Sequence, residues 1–177
     1  PLESIRQAVT LLGVETLVTL VTAIALRNQI PKPMPRFWDN SVRIASLSAA
    51  IASHLGCLNP SEAYLFGLFR DCGIALLWQR FPDYPETLHD ANREFTRAFT
   101  AVEDERHATN HAVVGSLLAS HWHLPKSVVD AIALHHDRNV FQLDHAPEIL
   151  NRISIAILAE RIANLWSGRD EGCATFF

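Results

Sequence analysis

Residues 64–73 read Tyr-Leu-Phe-Gly-Leu-Phe-Arg-Asp-Cys-Gly. The apolar run has to be buried, yet it delivers Arg70 and Asp71 into or beside that buried place, with Gly73 following at once. Burying charge is costly unless the groups are paired or bind something. Arg70 and Asp71 are therefore either a structural pair closing a helix end or what is left of a metal-binding His-Asp pair.

Upstream of this stretch the pattern is helical. Ser4-Ile-Arg-Gln7 has the form of a capping box, and Ile5, Val9 and Leu12 follow at helical spacing. Gly13 punctuates, and a second helix is expected over Val14 to Asn28 with Leu17, Leu20, Val21 and Ile24 inward. Pro31, Pro33 and Pro35 form a stiff connector. A third helix is expected from about Phe37 to Leu55, with Val42, Ala45, Ala49 and Ala52 as packing residues and Gly56 closing it. Pro60 opens the helix that carries Tyr64 to Asp71.

Downstream, Ile74 to Trp78 is a short apolar piece and Phe81 to Pro85 a turn region. Glu86 to Asp90 and Thr96 to Arg106 are polar enough to read as surface helices. Asn110 is a plausible cap for a helix over His111 to His121 with Val114, Leu117 and Leu118 inside. Pro125 begins a helix over Lys126 to His136, and a loop spans Arg138 to His145. Pro147 starts a last helix to Trp166, apolar at Leu150, Ile153, Ile157, Ile162 and Leu165. No strand-period segment exceeds a few residues, so the expected class is all-α, a compact multi-helix bundle.

Bulk numbers agree with one well-buried domain. The chain has 177 residues, 49% hydrophobic and 19% charged. A net charge of −4 gives no electrostatic reason to expect nucleic-acid binding. The apolar stretches are broken well before the roughly 20 residues of a membrane span, and no secretory signal opens the chain. Cys57, Cys72 and Cys173 form neither a disulfide framework nor a CxxC motif and read as reduced thiols of a cytoplasmic protein. Nine histidines are the one compositional hint of chemistry.

Four places could carry it: Arg70-Asp71, the segment Glu103 to His111, His135-His136-Asp137, and Glu160. Each has a plain alternative. His107 and His111 have the i, i+4 spacing of a metal pair, but Asn110 as a cap sets His107 outside the helix. His135-His136 suits a helix C-terminus, and adjacent helical residues point about 100° apart, so one of the two is expected inward. Glu160 could be an exposed partner of Arg161. His54, His89, His121, His123 and His145 read as surface residues. There is no nucleophile elbow and no Gly-rich phosphate loop.

In order along the chain, Ser4-Ile-Arg-Gln-Ala-Val-Thr-Leu-Leu-Gly13, Phe37-Trp-Asp-Asn-Ser41, Ala63 to Gly73, Glu103 or Glu105 leading to His111-Ala-Val-Val-Gly115, Trp122-His-Leu-Pro125 and Ala131-Ile-Ala-Leu-His-His136 resemble the HDOD domain. That family is a degenerate relative of the HD phosphohydrolases. The resemblance implies an HD-type bundle over residues 1–167, with 168–177 as a loose tail. It also implies that the further N-terminal helical half usual in the family is missing, leaving the Leu11, Leu17 and Val21 faces to self-association.

In catalytic HD enzymes a helix His, a His-Asp pair, further His residues and a late Asp hold one or two metals, whose bound water attacks a phosphate ester. Carried over, Asn40 takes the place of the first His and Arg70 that of the His in the pair. Asp71, His111, His135 and His136 are kept, and Glu160 falls about where the late Asp would. Asn is a poor transition-metal ligand and Arg cannot be deprotonated to become one. The resemblance thus implies a degenerate pocket with no metal and no cofactor, in which Arg70 neutralises Asp71.

The function implied is a non-catalytic regulatory or output domain of bacterial signal transduction, in contact with a protein partner. An upstream receiver domain and a homodimer are further expectations; nucleic acid and membrane are not. One alternative is anion or nucleotide sensing by Arg70, His111 and His135. Another is a residual metal-dependent phosphohydrolase using Asp71, His111, His136 and Glu160.

Overall fold

The computed structural model describes residues 21, 24, 25 and 34–167. Among these the regular structure is helical, with no strand: α1 (Pro35–Leu55), α2 (Pro60–Phe69), α3 (Cys72–Arg80), α4 (Tyr84–Ala91), α5 (Phe99–His107), α6 (His111–His121), α7 (Lys126–Leu134) and α8 (Pro147–Trp166). The all-α expectation holds. The expected helices over 4–12 and 14–28, Pro31 and Pro33 of the connector, and the 168–177 tail lie outside the described residues, as do Leu11 and Leu17. Val21 is described and exposed. No helix of the described residues is long and apolar enough to cross a membrane.

The helix ends follow local chemistry. Pro35, read as connector, instead opens α1. Gly56 stops α1 at φ 64°, a left-handed conformation that costs glycine little, and its N–H donates to the Ala52 carbonyl. Asn59 Oδ1 accepts from the Ser61 N–H at the start of α2, and Asn110 Oδ1 accepts from the Val113 N–H at the start of α6. Proline occupies the first turn of α2, α4 and α8.

The helix expected over 64–71 ends at Phe69, and α3 begins at Cys72. Arg70 and Asp71 therefore form the elbow between two helices. The apolar run before them enters the core as expected. Phe37, Phe66, Phe69, Ile74, Ile132 and Ile153 are at most 1% exposed, each worth about 1.5–3 kcal/mol of burial. α1 packs along α2 and α8, and α6 lies between α3 and α7. Arg152 of α8, 2% exposed, donates to Glu62 of α2 and to the Glu148 carbonyl.

Several facing assignments are corrected. α4 and α5 are not merely surface helices: Tyr84, Thr87 and Leu88 are buried, and Glu103 is 0% exposed. Their polar residues gather inward because buried partners satisfy them. Leu117 and Val42, expected inside, are exposed, and so are the apolar Ile157 and Leu165 of α8. In α6 the inward stripe is His111, Ala112, Gly115 and Ala119. Small residues are selected there because α3 approaches so closely that a Cβ on Gly73 would lie 2.1 Å from the His111 carbonyl oxygen.

Candidate functional site

The elbow between α2 and α3, the start of α6 and the end of α7 meet at one place. Arg70 Nε donates to Asp71 Oδ2 at 2.9 Å, and Arg70 Nη2 lies 3.2 Å from Glu160 Oε2 on α8. Burial works against the charge on Arg70, but the two carboxylates outweigh it and hold its pKa above the ordinary value. Burial would likewise raise the pKa of Asp71, but Arg70, followed by His135 and His111, takes it far below the carboxylate range. Glu160 is thus tied to Arg70.

The other oxygen of Asp71 faces imidazoles. Oδ1 is 3.3 Å from His135 Nε2 and 3.7 Å from His111 Nε2, and the two Nε2 atoms are 3.4 Å apart. Both rings are oriented through Nδ1. His135 Nδ1 lies 2.7 Å from the Ile132 carbonyl, which only accepts, so Nδ1 carries the proton. His111 Nδ1 lies 2.7 Å from Glu103 Oε2, and Glu103 Oε1 accepts from the Tyr84 hydroxyl. The Nε2 lone pairs are thereby turned toward each other and toward Asp71. Burial lowers the pKa of His135, although Asp71 opposes this. Burial, then His135 and His111, takes His136 well below its ordinary value.

His136 joins the same cluster. Its ring centroid is 4.2 Å from that of His135 and 4.8 Å from that of His111, and Phe99 stacks on it at 5.4 Å. The expectation that one of the two histidines faces inward is corrected. α7 ends at Leu134, so the pair lies where the helix gives way to a turn and the 100° spacing no longer applies.

Asp71, His111, His135 and His136 each offer a ligand atom, all within 4.8 Å of one another. Three acceptors around one point, with both Nδ1 positions engaged, need a proton or a cation between them. Imidazole nitrogens and one carboxylate are the donor set of a divalent transition metal, and the Glu103–His111 contact is the support such a ligand receives from behind. The residues therefore fit one divalent ion, for which Asp71, His111, His135 and His136 would supply the bonds. Such an ion supplies Lewis acidity and a low-pKa water when bound.

Asn40 is half-buried on α1 and does not line the cavity in front of this set. His107 belongs to α5, separate from α6, and bonds Thr87 Oγ1 at 2.9 Å while packing on Phe81. His54, His89, His121 and His123 are exposed as expected, whereas His145 is half-buried. Glu103 and Tyr84 were not separable from surface residues by spacing. Glu103 stood out as the start of the segment to His111 and, alongside Glu105, as a step in the family's motif order.

Two cavities adjoin the cluster. One of about 140 Å³ is lined by Arg70, Asp71, His135, His136 and Glu160. The other, about 380 Å³, shares His135, His136 and Ile157 with it and extends to Phe99, Arg138 and Phe141.

A family model described as the HDOD domain matches residues 1–138. A crystal structure from Shewanella amazonensis SB2B, named "Putative phosphohydrolase", is 26% identical with a TM-score of 0.74 over 96% of this chain and 62% of its own. A response regulator from Methylococcus capsulatus str. Bath is 23% identical, with a TM-score of 0.59 over 92% of this chain and 67% of its own. A Treponema pallidum (strain Nichols) protein is 24% identical over 137 residues, 77% of this chain. The chain spans 26% of that relative's length.

Proposed function

The chain belongs to the HDOD domain family, and from that premise we propose that it is a regulatory domain of signal transduction that binds and transmits rather than hydrolyses. The observation that carries this reading is the Arg70 guanidinium, buried and bridged between Asp71 and Glu160. It places a fixed positive charge beside Asp71 and commits Asp71 Oδ2 and Glu160 to an ion pair instead of to a second cation or an attacking water. The output is contact with a protein partner, for which a receiver domain in the cytoplasm is the kind the family resemblance points to.

A second reading is favoured by the convergence of Asp71, His111, His135 and His136: a phosphohydrolase using a single metal. One experiment separates the two. Purified protein is incubated with manganese, iron, nickel or zinc, its metal content is measured, and hydrolysis of bis(p-nitrophenyl) phosphate is followed. No turnover above that of Asp71→Asn, with or without bound metal, is the expected result. Metal-dependent turnover lost in Asp71→Asn would overturn the binding-only reading.

A further inference from the structure

We infer that the 380 Å³ cavity beside His135 and His136 binds a nucleoside monophosphate, with Arg138 holding the phosphate and Phe141 covering the base. This names a ligand for the domain proposed above and rests on that reading.

The cavity is at the small end of the range for small-molecule sites, which run from about 300 to 1,000 Å³. Its charge is unusual in one respect. Arg138 donates from Nη1 to the Thr96 carbonyl at 2.8 Å and from Nη2 to the Arg97 carbonyl. No carboxylate among the described residues pairs with it, whereas Arg97 beside it is held by Glu94 and Glu105. A guanidinium fixed by neutral carbonyls keeps its full charge and has lost its freedom to wander, which suits it to an incoming oxyanion.

The loop that supplies those carbonyls is itself braced. Glu94 Oε1 accepts from the Thr96 N–H at 2.7 Å, from Thr96 Oγ1 at 2.6 Å and from the Arg97 N–H at 3.3 Å. The clamp is thus built before any ligand arrives, so little ordering cost falls on binding.

The remaining wall suits a flat ring. Phe141 and Ile157 line the cavity and are 53% and 48% exposed, an apolar area left to water. A phosphate on Arg138 joined to a flat ring against Phe141 is nucleotide chemistry. Inorganic phosphate satisfies only Arg138.

The test uses the whole chain, with thermal melting and calorimetry against the four ribonucleoside 5′-monophosphates and inorganic phosphate at equal ionic strength. At least one nucleotide is expected to raise Tm by several degrees at millimolar concentration, and phosphate alone by less. Arg138→Gln is expected to weaken that nucleotide at least tenfold. Phe141→Ala, on an exposed side chain that leaves the core intact, is expected to weaken it several-fold. No shift with any of the four, or undiminished binding in both variants, overturns the inference. Phosphate release in the same samples reports on turnover separately. A nucleotide that binds and is hydrolysed supports the cavity and overturns the binding-only reading.

Discussion

The Nε2 atoms of His111 and His135 face each other at 3.4 Å, with both Nδ1 atoms already engaged behind them. The arrangement depends most on Glu103, which lies under His111 and receives donors only: the His111 Nδ1–H and N–H on Oε2 and the Tyr84 hydroxyl on Oε1. Glu103→Gln sets an amide NH₂ against one of those donors. The expected cost is about 1–3 kcal/mol of stability, with divalent-metal affinity falling about 10–100-fold. Denaturant titration and metal calorimetry read the two effects, and Tyr84→Phe should reproduce a smaller share of each. Unchanged metal affinity in Glu103→Gln would show that His111 is not oriented by this contact.

Gly73→Ala is expected to be among the most damaging single changes in the chain. Its new Cβ would meet the His111 carbonyl oxygen at 2.1 Å and the Gly115 nitrogen at 2.8 Å, both backbone atoms that cannot swing away. Overpacking of this kind reaches about 3 kcal/mol, and here it pushes apart the helices that bring Asp71 to His111. Loss of stability and of metal binding together is the expected signature. Gly56→Ala, with nothing within 4 Å of its Cβ, should cost only its left-handed strain, about 1 kcal/mol.

Cys72 is buried, with Sγ 3.8 Å from the Gly115 carbonyl oxygen, and burial, then Asp71, pushes its thiol far above the usual range. In a Cys57→Ser, Cys173→Ser background, a thiol reagent at pH 8 should leave Cys72 unmodified in the native protein and label it at the rate of opening. Rapid labelling under native conditions would show that the α3–α6 contact opens by itself.

The brace of the Arg138 loop has its own pH signature. Hydrogen bonds from the Thr96 hydroxyl and N–H, then from Arg97, lower the Glu94 pKa from 4.5 to about 2. A depressed carboxyl pKa stabilises the fold above its unfolded value and loses that contribution as pH falls through the folded one. The loop should therefore stay ordered at pH 4 and loosen toward pH 2, followed by the Glu94 carboxyl chemical shift. A midpoint near 4.5 would mean that the brace does not form.

The all-α class, the proline and asparagine starts and the Gly56 stop were legible because they depend on single residues and their immediate neighbours. So was the burial of Leu65 to Asp71. The site was legible only in part. Arg70, Asp71, His111 and His135 could be named from motif order, but the inward turn of His136 depends on α7 ending at Leu134. The partnership of Glu103 with His111 spans a helix break at Ala108, which takes a left-handed φ of 54°. Arg138 acquires its meaning from carbonyls about forty positions away, and carbonyls leave no trace in side-chain patterns.

α2, with the elbow residue Arg70 just past its end, and α8 carry two ion pairs written in opposite order. Glu62 meets Arg152, and eight residues further along each stretch Arg70 meets Glu160. The two links lie about 12 Å apart along the axes, and the helices run in the same direction between them. A slip that brought the ends of this ruler together would set acid on acid or base on base. Charge order thus acts as a key for helix register, and the histidine pocket inherits its width from it.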